Sequence, residues 1–374
     1  MGAIRYHHHD ANPFFATVKA RSEAWMKATG RTRYGGWRIY LKSAFWLGTY
    51  FGLYSLLLFG LVPFPYSLLV WAGFGFAMLL ISLNIGHDAS HGSFSSNSKV
   101  NAVFSYVFEL IGTSSYLWGI MHNKAHHGFV NLHVNDVAIQ TEPMLRLSPD
   151  APLYSWHRWQ HLYAFPLYSI STLFWVLLKD FKFISKQKIG PFKGAPHPWY
   201  QYVLLVGTKL IYFGYIIVLP VMFSGASLWE ILLGFLIMHL TMGITLGLTF
   251  QTTHAVEETC DPKWAKAGEI DNTWAVHVLE STSDFKTDSK LLNFLYGGLN
   301  SHVAHHIYPN ISHVHYPGIS KIIKEVAEEL DLVYIENPNM WAAALSHIQY
   351  LKQLGDPKTA RMGSMPAVSP IHNT

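Results

Sequence analysis

Four apolar runs, each about as long as a membrane-crossing helix, constrain the fold of this chain more than any other feature. They cover residues 43–62, 66–86, 201–223 and 228–250, and short connectors join them into two pairs. A helix rises about 1.5 Å per residue, so roughly 20 apolar residues cross the hydrocarbon core of a bilayer. Only 13% of the residues are charged, about half of the ~25% that is usual in soluble proteins. The sequence therefore predicts an all-α integral membrane protein with a stem of four transmembrane helices.

The distribution of positive charge predicts the orientation of these helices. Residues 1–42 form a basic N-terminal segment, whereas no Lys or Arg occurs between residues 43 and 98. Residues 179–198 contain five lysines, and the connector 224–227 contains none. Cytoplasmic loops carry an excess of Lys and Arg. We therefore expect both termini, and the segments that follow each helix pair, in the cytoplasm, as in a protein of the bacterial inner membrane.

This orientation divides the chain into three regions. We predict a cytoplasmic N-terminal segment, a membrane domain and a C-terminal segment whose tail is partly disordered, with a cytoplasmic cap inside the membrane domain. The segments are residues 1–42, 43–335 and 336–374, and the cap comprises residues 87–200 and 251–335.

Pro166 and Lys209 each lie within an apolar stretch and give two further expectations. Residues 163–178 are apolar but short and contain Pro166, so we expect an interfacial helix in the cap. Lys209 lies inside the third apolar run. A lysine is costly there unless it reaches the interface or faces a polar interior, so we expect it near the cytoplasmic end.

Three histidine clusters lie at the predicted cytoplasmic ends of the helices. They read His87-Asp-Ala-Ser-His91, His122-Asn-Lys-Ala-His126-His127 and His302-Val-Ala-His305-His306. Histidines separated by three or four residues share one face of a helix and can reach one ion. Neutral imidazole is a common ligand of iron, zinc and copper, and histidines that merely sit near a membrane surface would not need this spacing. The eight histidines therefore predict a metal site in the cap.

The remaining composition narrows the kind of site. Cys260 is the single cysteine, which excludes iron–sulfur clusters and cysteine-type zinc sites and leaves nitrogen or mixed nitrogen and oxygen ligands. The formal net charge of +4 gives no reason to expect nucleic acid as a partner. We expect His7, His8 and His9 to be solvated, because consecutive residues point in different directions. His157 and His161 have ligand spacing, but their aromatic surroundings favour an interfacial helix.

The sequence around the clusters resembles the membrane fatty acid desaturase family, in its bacterial acyl-lipid and linoleoyl-CoA desaturase-like branch. The resemblance covers roughly residues 40–335. It is carried by Gly-His-Asp-Ala-Ser-His-Gly-Ser-Phe-Ser-Ser-Asn at residues 86–97, Ser-Ser-Tyr-Leu-Trp at 114–118, Asn-Thr-Trp-Ala-Val-His at 272–277 and His-Val-His-Tyr-Pro at 313–317.

The resemblance implies a pair of iron ions, O2 as co-substrate and a fatty-acyl chain as substrate. It also implies a ninth histidine ligand, for which His254 at the end of the fourth apolar run and His277 are the candidates. From the sequence itself, Asp88, Asn131 and Asp136 are expected to support the ligands by hydrogen bonds. Asp88 lies inside the first cluster but points away from the face that carries its histidines.

Two departures from the family pattern leave the outcome of the reaction open. The third cluster begins with His302, where front-end members of this branch usually have glutamine. Gly128-Phe129-Val130-Asn131 follows the second cluster, where Thr-Tyr-Thr-Asn is usual. The alternatives to desaturation are hydroxylation, acetylenation and oxidative decarboxylation to a terminal alkene. A non-enzymatic metal-binding or transport protein is a further alternative, although no histidine cluster lies within the apolar runs.

The expected partners follow from the same resemblance. The acyl substrate is a free acid or is linked to CoA, a carrier protein or a lipid. No His-Pro-Gly-Gly haem motif occurs in the sequence, so we expect an external electron donor, such as ferredoxin or cytochrome b5 with its reductase. Membrane lipids surround the stem.

Overall fold

In the computed structural model the chain is predominantly helical, which confirms the predicted fold class. The structure describes residues 5–6, 13–190, 192–193, 196–259, 264–266 and 269–358. The predictions for His7–His9, Cys260 and the tail beyond residue 358 therefore lie outside the described residues.

The helices are numbered here in chain order, and two of them include π-helical turns that matter for the site. They are α1 (Phe14–Ala28), α2 (Gly36–Leu58), α3 (Ser67–Ser90), α4 (Ser98–Ser105), α5 (Val107–Leu110), α6 (Ser115–Trp118, continuing as π-helical Gly119–His126), α7 (Ser155–Ile184), α8 (Trp199–Phe223), α9 (Leu228–His254), α10 (Trp274–Ser281), α11 (Lys290–Tyr296), α12 (His302–Ile307), α13 (Tyr316–Glu329) and α14 (Met340–Gly355).

Short strands, which we did not predict, join loops of the helical cap. They are β1 (Arg5–Tyr6), β2 (Lys188–Ile189), β3 (Phe192–Lys193), β4 (Trp264–Lys266), β5 (Glu269–Ile270), β6 (Asp284–Phe285) and β7 (Glu336–Asn337). Strands β1, β5 and β4 form one small sheet in that order, with β1 parallel and β4 antiparallel to β5. Strands β2 and β3 form an antiparallel pair, and β6 and β7 a parallel pair.

Four helices in the described part of the chain are long and apolar enough to cross a membrane: α3, α7, α8 and α9. Three of them, α3, α8 and α9, correspond to predicted spans. Helix α2 contains most of the predicted span 43–62 and has 23 residues, but it is less apolar and is not among the four. The fourth is helix α7, in a segment for which we predicted only a short interfacial helix.

Helix α7 is a continuous segment of 30 residues, and Pro166 does not interrupt it. Its two ends contact the half of the molecule that carries the histidines. Near its start, the side-chain amide of Gln160 donates to the carbonyl of Leu351 in α14 at 2.8 Å. At its end, the carbonyl of Ile184 accepts from the hydroxyl of Tyr202, close to the start of α8, at 3.0 Å.

Small residues allow the long helices to pack closely. A Cβ atom added to Gly75 in α3 would lie 2.2 Å from the carbonyl oxygen of Met238 in α9, so the two backbones meet there. In the same way, Gly243 of α9 faces the backbone of Ser169 in α7 at 2.2 Å. Helix α9 therefore lies between α3 and α7, and any larger side chain at these glycines would separate the helices.

The two connectors of the predicted helix pairs meet at the end of the stem opposite the histidines. Gly60 has a left-handed φ of 60°, and a Cβ atom there would lie 2.0 Å from the carbonyl oxygen of Ser224. A second apolar core holds the cap together, where Phe14 and Val18 of α1 pack with Val276, Ile319 and other buried residues of α10, α12 and α13.

Candidate metal centre

The long helices α3 and α9 end in histidine side chains. Helix α3 passes through a π-helical turn, Ser82–Gly86, immediately before His87. Helix α9 ends at His254, whose side chain is 5% exposed. Single π-helical turns inside α-helices are frequent at functional sites because they redirect the side chains that follow. The stem therefore delivers the first histidine cluster and His254 to one region of the cap.

The second and third clusters come from the cap itself. Residues 119–126 are π-helical and carry His122 and His126. The third cluster forms helix α12, in which His302, His305 and His306 are fully buried.

The nine predicted histidines meet in one place. Eight of them form two groups of four, in each of which one ring nitrogen per residue lies within 4.8 Å of the others. Group one is His87, His91, His122 and His305, and group two is His126, His254, His302 and His306. The ninth, His127, contacts both groups: its ring centroid lies 4.7 Å from that of His91 and 4.4 Å from that of His306.

The groups do not correspond to the clusters in the sequence. The spacing predicted that histidines separated by three or four residues serve one ion, and this describes His87 and His91 in group one and His302 and His306 in group two. The structure instead divides the second cluster, with His122 in group one and His126 in group two, and it divides the third cluster in the same way. The second cluster is π-helical and lies between the groups. In α12, His302 and His306 belong to group two, whereas His305, the residue before His306, belongs to group one.

Within each group, ring nitrogens of different histidines lie close to one another. The Nε2 atom of His254 lies 3.1 Å from Nε2 of His126, 2.8 Å from Nε2 of His302 and 3.3 Å from Nε2 of His306. In group one, Nε2 of His122 lies 3.1 Å from Nε2 of His87. Two facing nitrogens share at most one proton. Most of the nitrogen lone pairs are therefore not used in hydrogen bonds within the protein.

Burial favours the neutral form of five of the nine imidazoles. It is the main cause that lowers the pKa of His122, His127, His302, His305 and His306 well below the ordinary value, and neighbouring imidazoles lower it further. Neutral imidazole is the form that binds a metal.

The donor set fits a pair of metal ions. The Nε2 atoms of His91 and His305 are buried and have no hydrogen-bond partner among the described residues. Buried polar atoms are normally satisfied, so unpartnered nitrogens that converge within 4.8 Å indicate ligands. The two groups contain no carboxylate and, in the described chain, no cysteine.

Asp136 and Asn131 support group two. The Oδ2 atom of Asp136 lies 2.9 Å from Nδ1 of His126 and accepts from the backbone N–H of Asn131 at 3.0 Å. Asn131 has a φ of 57°, a conformation that Asn tolerates better than most residues. Its side-chain amide donates to the carbonyls of His254 and Ser281, each at 2.8 Å.

Asp88 contacts a different imidazole from those of the two groups. Its Oδ2 accepts from Oγ of Ser312 at 2.8 Å and lies 3.0 Å from Nδ1 of His313. His277, the second candidate for a ninth ligand, lies outside both groups, because its Nε2 is 2.8 Å from the carbonyl oxygen of Val130.

Asp284, which contacts the third cluster, was not predicted from the sequence. This fully buried carboxylate accepts from the backbone N–H of Val303 at 2.8 Å and from the hydroxyl of Tyr334 at 2.6 Å. Burial raises the pKa of Asp284 to about 7. No local signal pointed to it, because the residue lies 19 positions from Val303.

An apolar cavity adjoins group one. His87 belongs both to group one and to the cavity wall. Trp118 also lines the cavity, and its ring lies 4.5 Å from that of His122. The complete lining is Leu79, Ser82, Leu83, His87, Phe108, Ile111, Thr113, Trp118, Thr172, Trp175, Met242 and Leu246.

This chain is similar to known proteins over most of its length. The family model described as fatty acid desaturase matches residues 61–338. The sn-1 linoleoyl-lipid 6-desaturase of Synechocystis sp. is 33% identical over 344 residues, which cover 91% of this chain and 95% of the relative.

Two further relatives have similar coverage. The sn-1 linoleoyl-lipid 6-desaturase of Arthrospira platensis is 28% identical, over 92% of this chain and 94% of its own length. The acyl-lipid (8-3)-desaturase of Physcomitrium patens is 29% identical, over 94% of this chain and 74% of its own length. With its helical stem, its histidine groups and these relatives, the chain belongs to the membrane fatty acid desaturase family and is an oxidoreductase that desaturates fatty-acyl chains.

Proposed function

We propose that this chain binds two iron ions, one in each histidine group, and uses O2 and two external electrons to insert a double bond into a lipid-linked acyl chain. The observation that carries the proposal is the double position of His87, which belongs to group one and also lines the apolar cavity. An acyl chain in that cavity would lie directly beside the metal ligands.

The nine histidines are the proposed ligands: His87, His91, His122, His126, His127, His254, His302, His305 and His306. His277 is not proposed, because its Nε2 lies next to a backbone carbonyl. When bound, iron would supply the redox chemistry by which O2, two electrons, two protons and two hydrogens of neighbouring methylenes give an alkene and two water molecules.

The residues of the chain have three tasks in this reaction. The buried, neutral imidazoles hold the metals, and Asp136 fixes the ring of His126 by accepting from Nδ1. The apolar wall excludes water and aligns the chain, because reacting atoms must lie within about 3–3.5 Å of each other. Trp118 packs against the His122 ring at the cavity wall and limits the positions open to the chain.

The substrate class and the electron donor rest on different arguments. The relatives from Synechocystis sp. and Physcomitrium patens are named for acyl-lipid substrates, which favours a lipid-linked acyl chain over a free acid, a CoA ester or a carrier-protein ester. For the donor, we propose a separate ferredoxin, with cytochrome b5 and its reductase as the second candidate.

We further propose that both termini and the metal centre face the cytoplasm, in a bacterial inner membrane. Helices α2, α3, α8 and α9 would cross the membrane. Helix α7 would lie along the cytoplasmic interface, because both of its ends contact the histidine-bearing half. The connectors that meet at Gly60 and Ser224 would lie on the opposite side.

The test of the reaction uses purified protein, a deuterated saturated acyl lipid, O2 and reduced ferredoxin. We expect about two irons per chain, and an internal alkene with unchanged carbon number that has lost two deuterium atoms. The matched control is the His305→Ala variant, which should form no product.

Other products would identify the alternatives. An alcohol would favour a hydroxylase, an internal alkyne an acetylenase, and a terminal alkene one carbon shorter with release of CO2 a decarboxylase. Protein that contains metal but gives no product with any donor would favour the non-enzymatic reading.

A further inference from the structure

A buried lysine lies close to the first histidine cluster but outside both histidine groups. Lys42 of α2 is 8% exposed. Its Nζ atom lies 2.8 Å from Nε2 of His313 and donates to the carbonyl oxygen of Asn293 at 3.1 Å. A buried ammonium group is costly unless it is paired and hydrogen-bonded. The presence of a buried lysine at this position therefore requires an explanation.

His313 connects this lysine to Asp88. Both residues are buried, at 0% and 1% exposure. The Nδ1 atom of His313 lies 3.0 Å from Oδ2 of Asp88, and its backbone N–H donates to the same oxygen at 3.2 Å. In the arrangement in which Nζ of Lys42 donates to Nε2 of His313, the ring proton lies on Nδ1, the nitrogen that faces Asp88.

Asp88 in turn belongs to the turn that carries two ligands of group one. It follows His87 directly, and its backbone carbonyl accepts from the backbone N–H and the Oγ of Ser93 at 2.9 and 3.0 Å. The carboxylate points toward His313, whereas His87 and His91 point into group one. Holding the carboxylate therefore fixes the rotation of this turn, and with it the position of both ring nitrogens.

The segment before Lys42 makes further contacts with the residues around His313. The backbone N–H of Ser312 donates to the carbonyl of Arg33 at 2.8 Å, and Nε2 of His315 lies 3.0 Å from the carbonyl oxygen of Tyr34. The N-terminal segment thus contacts residues 312–315 at three points, and Lys42 is the charged one.

We propose that Lys42 is a positioning residue for the metal centre: through His313 it holds Asp88, and thereby the first histidine cluster, in the geometry that binds a metal. The proposal rests on the function proposed above. In this proposal Lys42 acts through His313 and not directly on the substrate or a metal. Its effect reaches group one alone, because Asp136 supports group two through separate contacts.

The first experiment compares two buried lysines in the full-length protein in detergent. Lys42→Met is expected to lower the iron content from about two to about one per chain, and to lower kcat at least ~10-fold while KM for the acyl lipid stays within ~2-fold. Lys42→Arg, which keeps a charged donor, is expected to recover part of both.

The matched control is Lys209→Met, which removes another buried lysine whose Nζ lies 2.7 Å from a carboxylate, that of Asp180. It contacts no histidine of the two groups. It should lower the melting temperature and leave the iron content at the wild-type level, so it separates general destabilisation from positioning.

The second experiment tests the route through His313. In His313→Asn the backbone N–H of residue 313 can still donate to Asp88, but the shorter side chain no longer reaches Lys42. If the effect of Lys42 passes through this imidazole, adding Lys42→Met to His313→Asn causes no further loss of iron.

The outcomes distinguish the two proposals. Wild-type iron content and turnover in Lys42→Met would overturn this inference and leave the proposed function intact. Equal loss of iron in Lys42→Met and Lys209→Met at equal loss of melting temperature would also overturn it. Wild-type protein without iron would overturn the proposed function, and this inference with it.

Discussion

The Nδ1 atom of His126 lies 2.9 Å from Oδ2 of Asp136, and the two side chains are 2% and 0% exposed. A carboxylate in this position holds the ring and selects the tautomer that leaves Nε2 free. The same Nε2 lies 3.1 Å from Nε2 of His254. Asp136 therefore determines which nitrogen of His126 faces group two, and it does so from the loop that follows the second histidine cluster.

Replacing this carboxylate tests its role. Asp136→Asn is expected to weaken iron binding about 10- to 100-fold, because an amide accepts more weakly and carries no charge. The measurement is iron retention during titration with a chelator. Asp288→Asn serves as the control, since Asp288 forms only an exposed ion pair with Lys286. Equal retention in the two variants would contradict the assignment.

The identity of the ninth ligand gives a second prediction. His254→Ala should lose iron from group two, because Nε2 of His254 lies within 3.3 Å of three other ring nitrogens. His277→Gln should keep about two irons per chain, because the Gln amide can replace the hydrogen bond to Val130. Iron analysis of both variants decides between them, and loss of iron from His277→Gln alone would reverse the assignment.

The histidine clusters could be found from sequence because ligand spacing is local. Residues three or four positions apart on a helix share a face whatever the rest of the fold does. The division of the histidines into two groups was not predictable in this way. It depends on π-helical turns before His87 and through His122, and the sequence carried no signal for them.

The residues that contact the histidine clusters were harder to predict, because these contacts also depend on the folded structure. Asp88 was expected to hold a ligand imidazole, but it contacts Ser312, which is 224 positions away. Asp284 and Lys42 were not recognised at all. Such contacts arise only when distant segments pack together, so hydrophobic periodicity and local spacing contain no information about them.

The helical stem was predicted because apolar length is a property of a single segment. The boundaries of the helix at the predicted membrane interface were harder to predict. Pro166 suggested a short helix, yet α7 runs for 30 residues. A proline removes one backbone donor, and neighbouring helices or Ser and Thr side chains can satisfy the carbonyl that it leaves free.

The buried ion pair between α8 and α7 gives a prediction for stability. Lys209 and Asp180 are 5% and 0% exposed, and Nζ lies 2.7 Å from Oδ2. Lys209→Met should destabilise the fold by about 3–5 kcal/mol, because it leaves Asp180 buried without its cation. Adding Asp180→Asn should recover most of the loss, since the amide oxygen can still accept from Nε1 of Trp175. Thermal unfolding in detergent measures both, and no recovery would show that the pair is not the source.

The orientation of α7 is predicted from its two ends. Single cysteines at Leu153 and Gln187, in a Cys260→Ser background, should be labelled from the cytoplasmic side by a membrane-impermeant thiol reagent. A cysteine at Ser224 should react only from the opposite side. If α7 crosses the membrane, Leu153 and Gln187 will instead react from opposite sides.

The inner end of the cavity gives the last prediction, which concerns the length of the acyl chain. Leu79 and Met242 line the cavity one helical turn above the contact between Gly75 and Met238, where α3 and α9 meet backbone to backbone. We therefore expect a larger side chain at Met242 to shorten the space beyond the metal centre. One methylene in an apolar pocket changes kcat/KM by about 10- to 200-fold. Met242→Trp should lower kcat/KM for a long acyl chain at least ~10-fold relative to a chain a few methylenes shorter. Met222→Trp is the control, because Met222 is 66% exposed on α8, outside the cavity. Competition between acyl lipids of two chain lengths measures the ratio in one reaction. An unchanged ratio in Met242→Trp, with turnover intact, would show that the acyl chain does not occupy this cavity.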